Sequence, residues 1–204
     1  MGNSQLATIS STKFLGIEID SNITFKTHIG QICKKLNYIL LLMRSIRQFL
    51  DVPTMTNLYY TFFYPHLIYG IEFWGHAAQC DLNQIMLLQK AALRVILKIP
   101  PRNHVTSNFQ RLKIMPVSML FEYRYVLLFL KQVHEEQITP KINKNEKTRS
   151  SAKFLPQRAN NCRGERSLLT KGVNLFNSYL MGEEGGRPSG LRIRLAGALW
   201  EGGV

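Results

Sequence analysis

Aspartate is nearly absent from this chain of 204 residues: Asp20, Asp51 and Asp81 are all it has, and no two are neighbours in sequence. Two-metal nucleotidyl transfer needs carboxylates clustered around the ions, and these three do not provide the cluster. Asp51 and Asp81 stand where helix caps belong, the first ahead of Val52-Pro53 and the second ahead of Leu82. Cysteine is equally scarce. Cys33, Cys80 and Cys162 are too few and too scattered for a disulfide framework, which points to a reducing interior. The five histidines (His28, His66, His76, His104 and His134) form no H-E-x-x-H. His76 and Cys80 lie four apart, but no second pair follows at zinc-knuckle spacing, so no metal and no cofactor is expected. Phosphate-loop, dinucleotide and nucleophile-elbow motifs are missing as well. On its own residues the chain is not expected to be an enzyme.

Long apolar runs are also lacking. Met1 to Gln5 has neither the basic flank nor the apolar stretch of a signal peptide. The longest candidate span, Leu58 to Ala78, carries Pro65, His66, Glu72 and His76. It reads as a buried amphipathic helix, without stable membrane insertion. An intracellular protein of the cytoplasm or nucleus is the expectation.

Positive charge is what the chain has in excess. Lys and Arg total 26 against 13 Asp and Glu, a formal net charge of +13. Such a balance favours a polyanionic partner, nucleic acid before an acidic membrane surface. Lys141 to Lys171 alone holds nine basic residues against Glu146 and Glu165, and is poor in apolar residues. The helical part places Lys26, Lys34, Lys35, Arg44, Arg47, Lys90, Arg94 and Lys98 alongside aromatic residues. Solvated helix faces account for any one of these cations; the overall charge favours nucleic-acid contact for the set.

The periodicity predicts a mainly α chain. Lys13 to Asp20, with Leu15, Ile17 and Ile19 alternating, reads as a strand, with Gln5 to Ser10 a candidate partner and Ser11-Thr12 the turn. A helix is predicted from about Thr27 to Gln48, with Ile29, Ile32, Cys33, Leu36, Leu40, Met43 and Ile46 on one face. Lys34, Lys35, Leu41 and Leu42 fall opposite. A second helix begins at Asp51-Val52-Pro53, kinks at Pro65 and resumes towards Trp74, with the aromatic residues from Tyr59 to Trp74 as core. Helices are also expected from Leu82 to Leu97, from Pro116 to Val133 and, shorter, from Ser167 to Leu180. The organisation expected is a strand segment over 1–24, a helical domain over 25–138, a basic linker over 139–166, a short helix over 167–180 and a poorly ordered tail over 181–204, where glycines interrupt every element.

Several segments carry a resemblance. Lys13-Phe14-Leu15-Gly16-Ile17-Glu18-Ile19-Asp20, then Thr24-Phe25-Lys26-Thr27-His28-Ile29, resemble the strand and helix start just after the catalytic palm of non-LTR (LINE-type, jockey-like) retrotransposon reverse transcriptases. Tyr64-Pro65-His66-Leu67-Ile68-Tyr69-Gly70 with Trp74-Gly75, and Leu88-Gln89-Lys90-Ala91-Ala92-Leu93-Arg94-Val95-Ile96, are similar to patterns further along that family. Leu155-Pro156-Gln157-Arg158, Gly172 and Asn174-Leu175-Phe176-Asn177 look like its final segment. The pieces occur in family order over roughly residues 13–180. The resemblance implies a primer-grip strand at Phe14, Leu15, Gly16 and Ile17, followed by a helical thumb-like bundle and a basic C-terminal tail. The family's catalytic aspartate pair, fingers and palm belong upstream of Lys13. The implied partner is an RNA–DNA or DNA duplex held by its backbone without reading sequence, with the missing palm and fingers as a second partner. The candidate nucleic-acid contacts are Lys26, His28, Lys34, Lys35, Arg44, Arg47, Lys90 and Arg94, with Lys26 and His28 at the start of the first helix. A basic helical module that docks another protein through its apolar faces is the alternative.

Overall fold

The structure, a computed structural model, describes residues 9–142 and 154–181, so the tail expected over 181–204 lies, beyond Met181, outside the described residues. The chain divides into two units, residues 1–121 and 122–204.

The first unit opens on a hairpin. β1 (Ser11–Phe14) pairs antiparallel with β2 (Ile17–Asp20), Phe14 opposite Ile17. The turn is Leu15-Gly16, with φ of 46° and 81°. Two successive positive φ values make the type of two-residue turn that matches strand twist. The expected single strand from Lys13 to Asp20 is therefore corrected: it folds back on itself at Gly16, and Ser11-Thr12 is strand, not turn. The period-2 pattern of Leu15, Ile17 and Ile19 hid the turn, because Leu15 is an unusual residue at positive φ.

Asp20 then directs the chain into α1 (Lys26–Ile46). Its carboxylate accepts hydrogen bonds from the backbone N–H groups of Asn22 (3.1 Å), Thr24 (2.9 Å) and Phe25 (2.7 Å), and from the Thr24 hydroxyl (2.9 Å). These bonds hold Ile23 and Phe25 left-handed, at φ of 55° and 57°. The bond from Thr24, and then the others, keep the Asp20 carboxyl below its usual range, against a smaller opposing effect of burial. α1 buries Ile29, Ile32, Leu36, Leu40 and Met43, the predicted face, and packs against α5 (Gln79–Ile96).

Asp51 caps α2 (Val52–Leu58), accepting from the Thr54 N–H at 3.2 Å, as its sequence predicts. The expected kink at Pro65 takes a different form. Proline lacks an N–H and crowds the carbonyl one turn back. The helix accommodates it with a π-turn over Tyr59–Phe63 and continues as α3 (Tyr64–Ile68). The real break is at Tyr69-Gly70, where Tyr69 is extended and Gly70 has φ of 62°, before α4 (Ile71–Trp74). Of the aromatic cluster, Tyr59, Phe63 and Trp74 are fully buried, whereas Tyr60, Phe62, Tyr69 and Phe73 are exposed. No helix among the described residues is long and apolar enough to cross a membrane.

Asp81 does not cap α5. Ala78 is its N-cap, and Asp81 sits buried in the first turn, accepting from the Gln84 side chain at 3.3 Å. Inward-facing Ile85, Leu93 and Ile96 are buried as predicted, while Leu88 is half-buried. One polar residue joins them. Gln89 is completely buried; its amide donates to the Tyr59 hydroxyl (2.9 Å) and the Met115 carbonyl (2.8 Å), and its oxygen accepts from the Val117 N–H (2.9 Å). Gln89 thus ties α5 to the π-turn and to the start of α7 (Val117–His134), after the short α6 (Asn108–Arg111).

The second unit takes up α7 from Glu122 on. Phe129 meets Phe154 and Phe176 with ring centroids 5.9 and 5.8 Å away. Asn177, on α9 (Val173–Met181), clamps Phe154 by both backbone groups, at 2.7 and 3.3 Å. The segment expected as a linker carries structure at its described ends: β3 (Lys141–Ile142) pairs antiparallel with β4 (Phe154–Leu155), and α8 (Cys162–Glu165) follows. Before α9 comes a π-turn, Leu168–Gly172, where a Cβ on Gly172 would lie 3.2 Å from the Phe129 ring.

Candidate nucleic-acid interface

The hairpin turn and the Tyr69-Gly70 break, far apart in sequence, meet in space. The Tyr69 hydroxyl donates to the Leu15 carbonyl. A Cβ on Gly70 would collide with the Ile17 side chain, and one on Gly16 would touch the Tyr69 ring at 3.6 Å. Glycine at 70 therefore serves both the left-handed backbone and the close approach of Ile17. Of the expected primer-grip residues, Phe14 and Leu15 are exposed, Gly16 makes the turn and Ile17 is buried. Leu15, and Leu41 and Leu42 on the face of α1 opposite its core stripe, are exposed.

The eight candidate contacts separate into groups. Lys34 and Lys35 are exposed on α1, and Lys26 is exposed at its first turn. His28 departs from the expectation: it is 6% exposed, packed under the hairpin, with Nδ1 accepting from the Glu18 N–H at 3.4 Å and no partner for Nε2. Burial holds its pKa below the ordinary 6.5; Glu18 opposes this and Lys35 adds to it. With Nδ1 accepting, Nε2 carries the proton, and that N–H is buried, so His28 stands as a core residue of the hairpin–helix junction. The helical period brought it inside with Ile29 and Ile32.

Arg44, Arg47 and Arg94 come together. They line one open groove of about 490 Å³ with Lys98, between the C-terminal ends of α1 and α5. Ala91, Val95 and Ile99 supply apolar surface, and Pro100 and Pro101 complete the lining. Lys90 is half-buried one turn before Arg94. Lys98 reaches the groove because α5 ends in a Schellman motif: the Ile99 N–H bonds the Arg94 carbonyl (3.0 Å) and the Lys98 N–H the Val95 carbonyl (3.3 Å), with Lys98 left-handed at φ 56°. Arg94 also donates from Nε to the Asn103 carbonyl at 3.2 Å. Among the described residues no carboxylate forms an ion pair with any of the four; Asp51 is the acidic group that feels Lys98. The Pro100-Pro101 stop was legible in the sequence; its meeting with the end of α1 was not, because that needs the α1–α5 packing.

The described residues contain no group of three or more His, Cys, Asp or Glu placed to hold a metal ion.

Comparison with known proteins gives relatives of one kind. The chain is 34% identical over 91 residues to the RNA-directed DNA polymerase from mobile element jockey of Drosophila melanogaster, covering 43% of this chain and 10% of that protein. It is 33% identical over 97 residues to the probable RNA-directed DNA polymerase from transposon BS of the same species, covering 45% and 10%. It is 30% identical over 107 residues to the jockey polymerase of Drosophila funebris, covering 49% and 11%. This chain is therefore a relative of jockey-like non-LTR retrotransposon RNA-directed DNA polymerases, and it spans about a tenth of the length of the curated relatives it matches. No family model matches it. No solved structure matches it.

Proposed function

We propose that this chain is the primer-grip and thumb-like part of a reverse transcriptase, and that it holds a primer–template duplex by the backbone without reading sequence. The observation that supports this most is the set of cations without ion-pair partners among the described residues, Lys34 and Lys35 on α1 and the four of the groove, in a chain that is similar over part of its length to RNA-directed DNA polymerases. Cations spread along helices contact phosphates at many positions, and phosphate contacts position a duplex without specifying it. The hairpin turn, propped on Tyr69, presents Leu15 at the edge of the same unit. Polymerisation itself is not carried by this chain, whose three aspartates are committed elsewhere: Asp20 to the α1 connection, Asp51 to a cap and Asp81 to a buried first turn. The remainder of such a polymerase is its second partner.

Two measurements test the reading. Fluorescence anisotropy with two unrelated RNA–DNA hybrids of equal length gives affinities within about threefold of each other if the backbone alone is held; a strong preference for one refutes it. Primer extension on poly(A)–oligo(dT) with Mg²⁺ or Mn²⁺ stays at the no-protein background; extension above it refutes the division of labour.

A second reading has one observation in its favour. Tyr38, Leu41 and Phe49 are exposed along α1 and just past its end, at 64%, 60% and 77% of their accessible surface. Such apolar exposure suits a protein partner. Saturable binding of a protein that is indifferent to salt, without binding to duplex, favours this module.

A further inference from the structure

The groove between the ends of α1 and α5 has a chemistry of its own. Four cations line it, three of them arginines, whose planar forks match phosphate oxygens two at a time. Its surface is not wholly polar: Ala91, Val95, Ile99, Pro100 and Pro101 share the lining. Its volume of about 490 Å³ lies within the range of small-ligand clefts. Both helices point their C-terminal ends this way, and the partial negative charge there stabilises Arg44 and Arg94 in the last turns. That interaction explains two of the four cations. It does not explain Lys98, held left-handed at φ 56°, where a glycine would rest without strain. Nor does it explain the absence of any carboxylate paired with the four among the described residues.

We propose that this groove is a discrete phosphodiester seat. One phosphate of a nucleic-acid strand lies among Arg44, Arg47, Arg94 and Lys98, and the adjoining sugar rests on the apolar surface of Val95, Ile99 and Pro100. This deepens and rests on the duplex-holding reading. It concentrates the backbone contact in one place, where the sequence suggested contacts dispersed over two helices. The four cations then act as a unit, whereas Lys34 and Lys35, on the exposed face of α1, contribute separately.

The test is anisotropy with a fluorescein-labelled 20-base-pair RNA–DNA hybrid on the full chain, over a salt series. Arg44→Gln with Arg47→Gln is the principal variant, because Arg94 also braces the Asn103 loop. The expected result is a loss of roughly 10- to 100-fold at low salt and a log–log salt slope shallower by up to about 0.9, the share of one phosphate. Lys34→Gln with Lys35→Gln should lose less, and combining both pairs should give the product of the two losses. Adding Lys98→Gln to the groove pair should cost less than it does alone, since members of one seat couple. Arg44→Lys with Arg47→Lys should keep the slope and lose about threefold to tenfold, because charge remains and the forks do not. Far-UV circular dichroism with a thermal melt confirms folding of each variant. Inorganic phosphate and AMP separate sources of the phosphate: competition only far above the hybrid's own affinity fits a strand seat, while micromolar competition by AMP overturns it in favour of a free-nucleotide site. A groove pair that binds within twofold of the unaltered chain overturns the inference and leaves the duplex reading standing. An unaltered chain that binds no hybrid overturns both.

Discussion

Replacing Gln89 with leucine tests whether the helical unit is organised as described. The side chain sits completely buried among Tyr59, Met115 and Val117, all within the first unit, and makes three hydrogen bonds of 2.8 to 2.9 Å. Leucine has nearly the same bulk, so no large cavity opens. What is lost is the partner of the Val117 N–H, of the Met115 carbonyl and of the Tyr59 hydroxyl. A buried polar group left unpaired costs about 1–3 kcal/mol, and the three are not additive because the neighbourhood relaxes. Leucine also removes the desolvation cost of the amide itself. A net destabilisation of about 2–4 kcal/mol follows, which for a unit of this size lowers Tm by roughly 8–16 °C. Tyr59→Phe is the internal control. It removes one acceptor but leaves the amide bonded to Met115, so it should cost only about 1 kcal/mol. Urea unfolding followed by the fluorescence of buried Trp74, in a Trp200→Phe background, reads both. If Gln89→Leu unfolds within about 0.5 kcal/mol of the parent, or if Tyr59→Phe costs more, the cross-tie is wrong.

Three further outcomes are expected. Asp20→Ala should destabilise by about 1–2 kcal/mol by releasing the bonds that hold the α1 connection; the Asp20 carboxyl is held below its usual 3.8, so its contribution is present above pH 4 and fades as pH falls through the lowered value, and an acid titration of stability compared between parent and variant checks it. His28 has a pKa lowered from 6.5 by burial, so the unfolded chain takes up a proton first and stability declines as pH falls below 6.5; a His28→Phe variant that shows the same decline between pH 6.5 and 5 refutes this. Lys98→Gly should raise stability by up to about 1 kcal/mol by relieving the left-handed residue, yet weaken hybrid binding, and a thermal melt paired with anisotropy shows whether the two move in opposite directions.

Much of the helical unit was legible because its burial follows a single period. Ile29, Ile32, Leu36, Leu40 and Met43 are spaced to face one way, and they face α5. The Asp51 cap and the Pro100-Pro101 stop are local chemistry and needed no tertiary information. The hairpin turn was missed because Leu15 has no preference for positive φ; what holds it there is Tyr69, more than fifty residues away. The same distance hid the significance of Gly70, which reads as a helix breaker but is also the surface on which Ile17 rests. The kink was expected at Pro65 because proline crowds the turn before it, yet a π-turn over Tyr59–Phe63 accommodates it. Of the candidate contacts, charge alone could not separate His28 from the lysines that follow it. Only packing against the hairpin takes it out of water. Nor could charge show that Arg44 and Arg94, fifty residues apart, line one groove.

On the proposed function, this chain meets nucleic acid through the charge of the phosphate backbone. The most direct measurement is the salt dependence of its affinity for an RNA–DNA hybrid between about 50 and 300 mM monovalent salt. With four to six phosphates neutralised, log K falls against log salt with a slope of about −4 to −5. A slope near zero would contradict that function and leave Tyr38 and Leu41 on α1, with Phe49 just past its end, as a protein-docking surface.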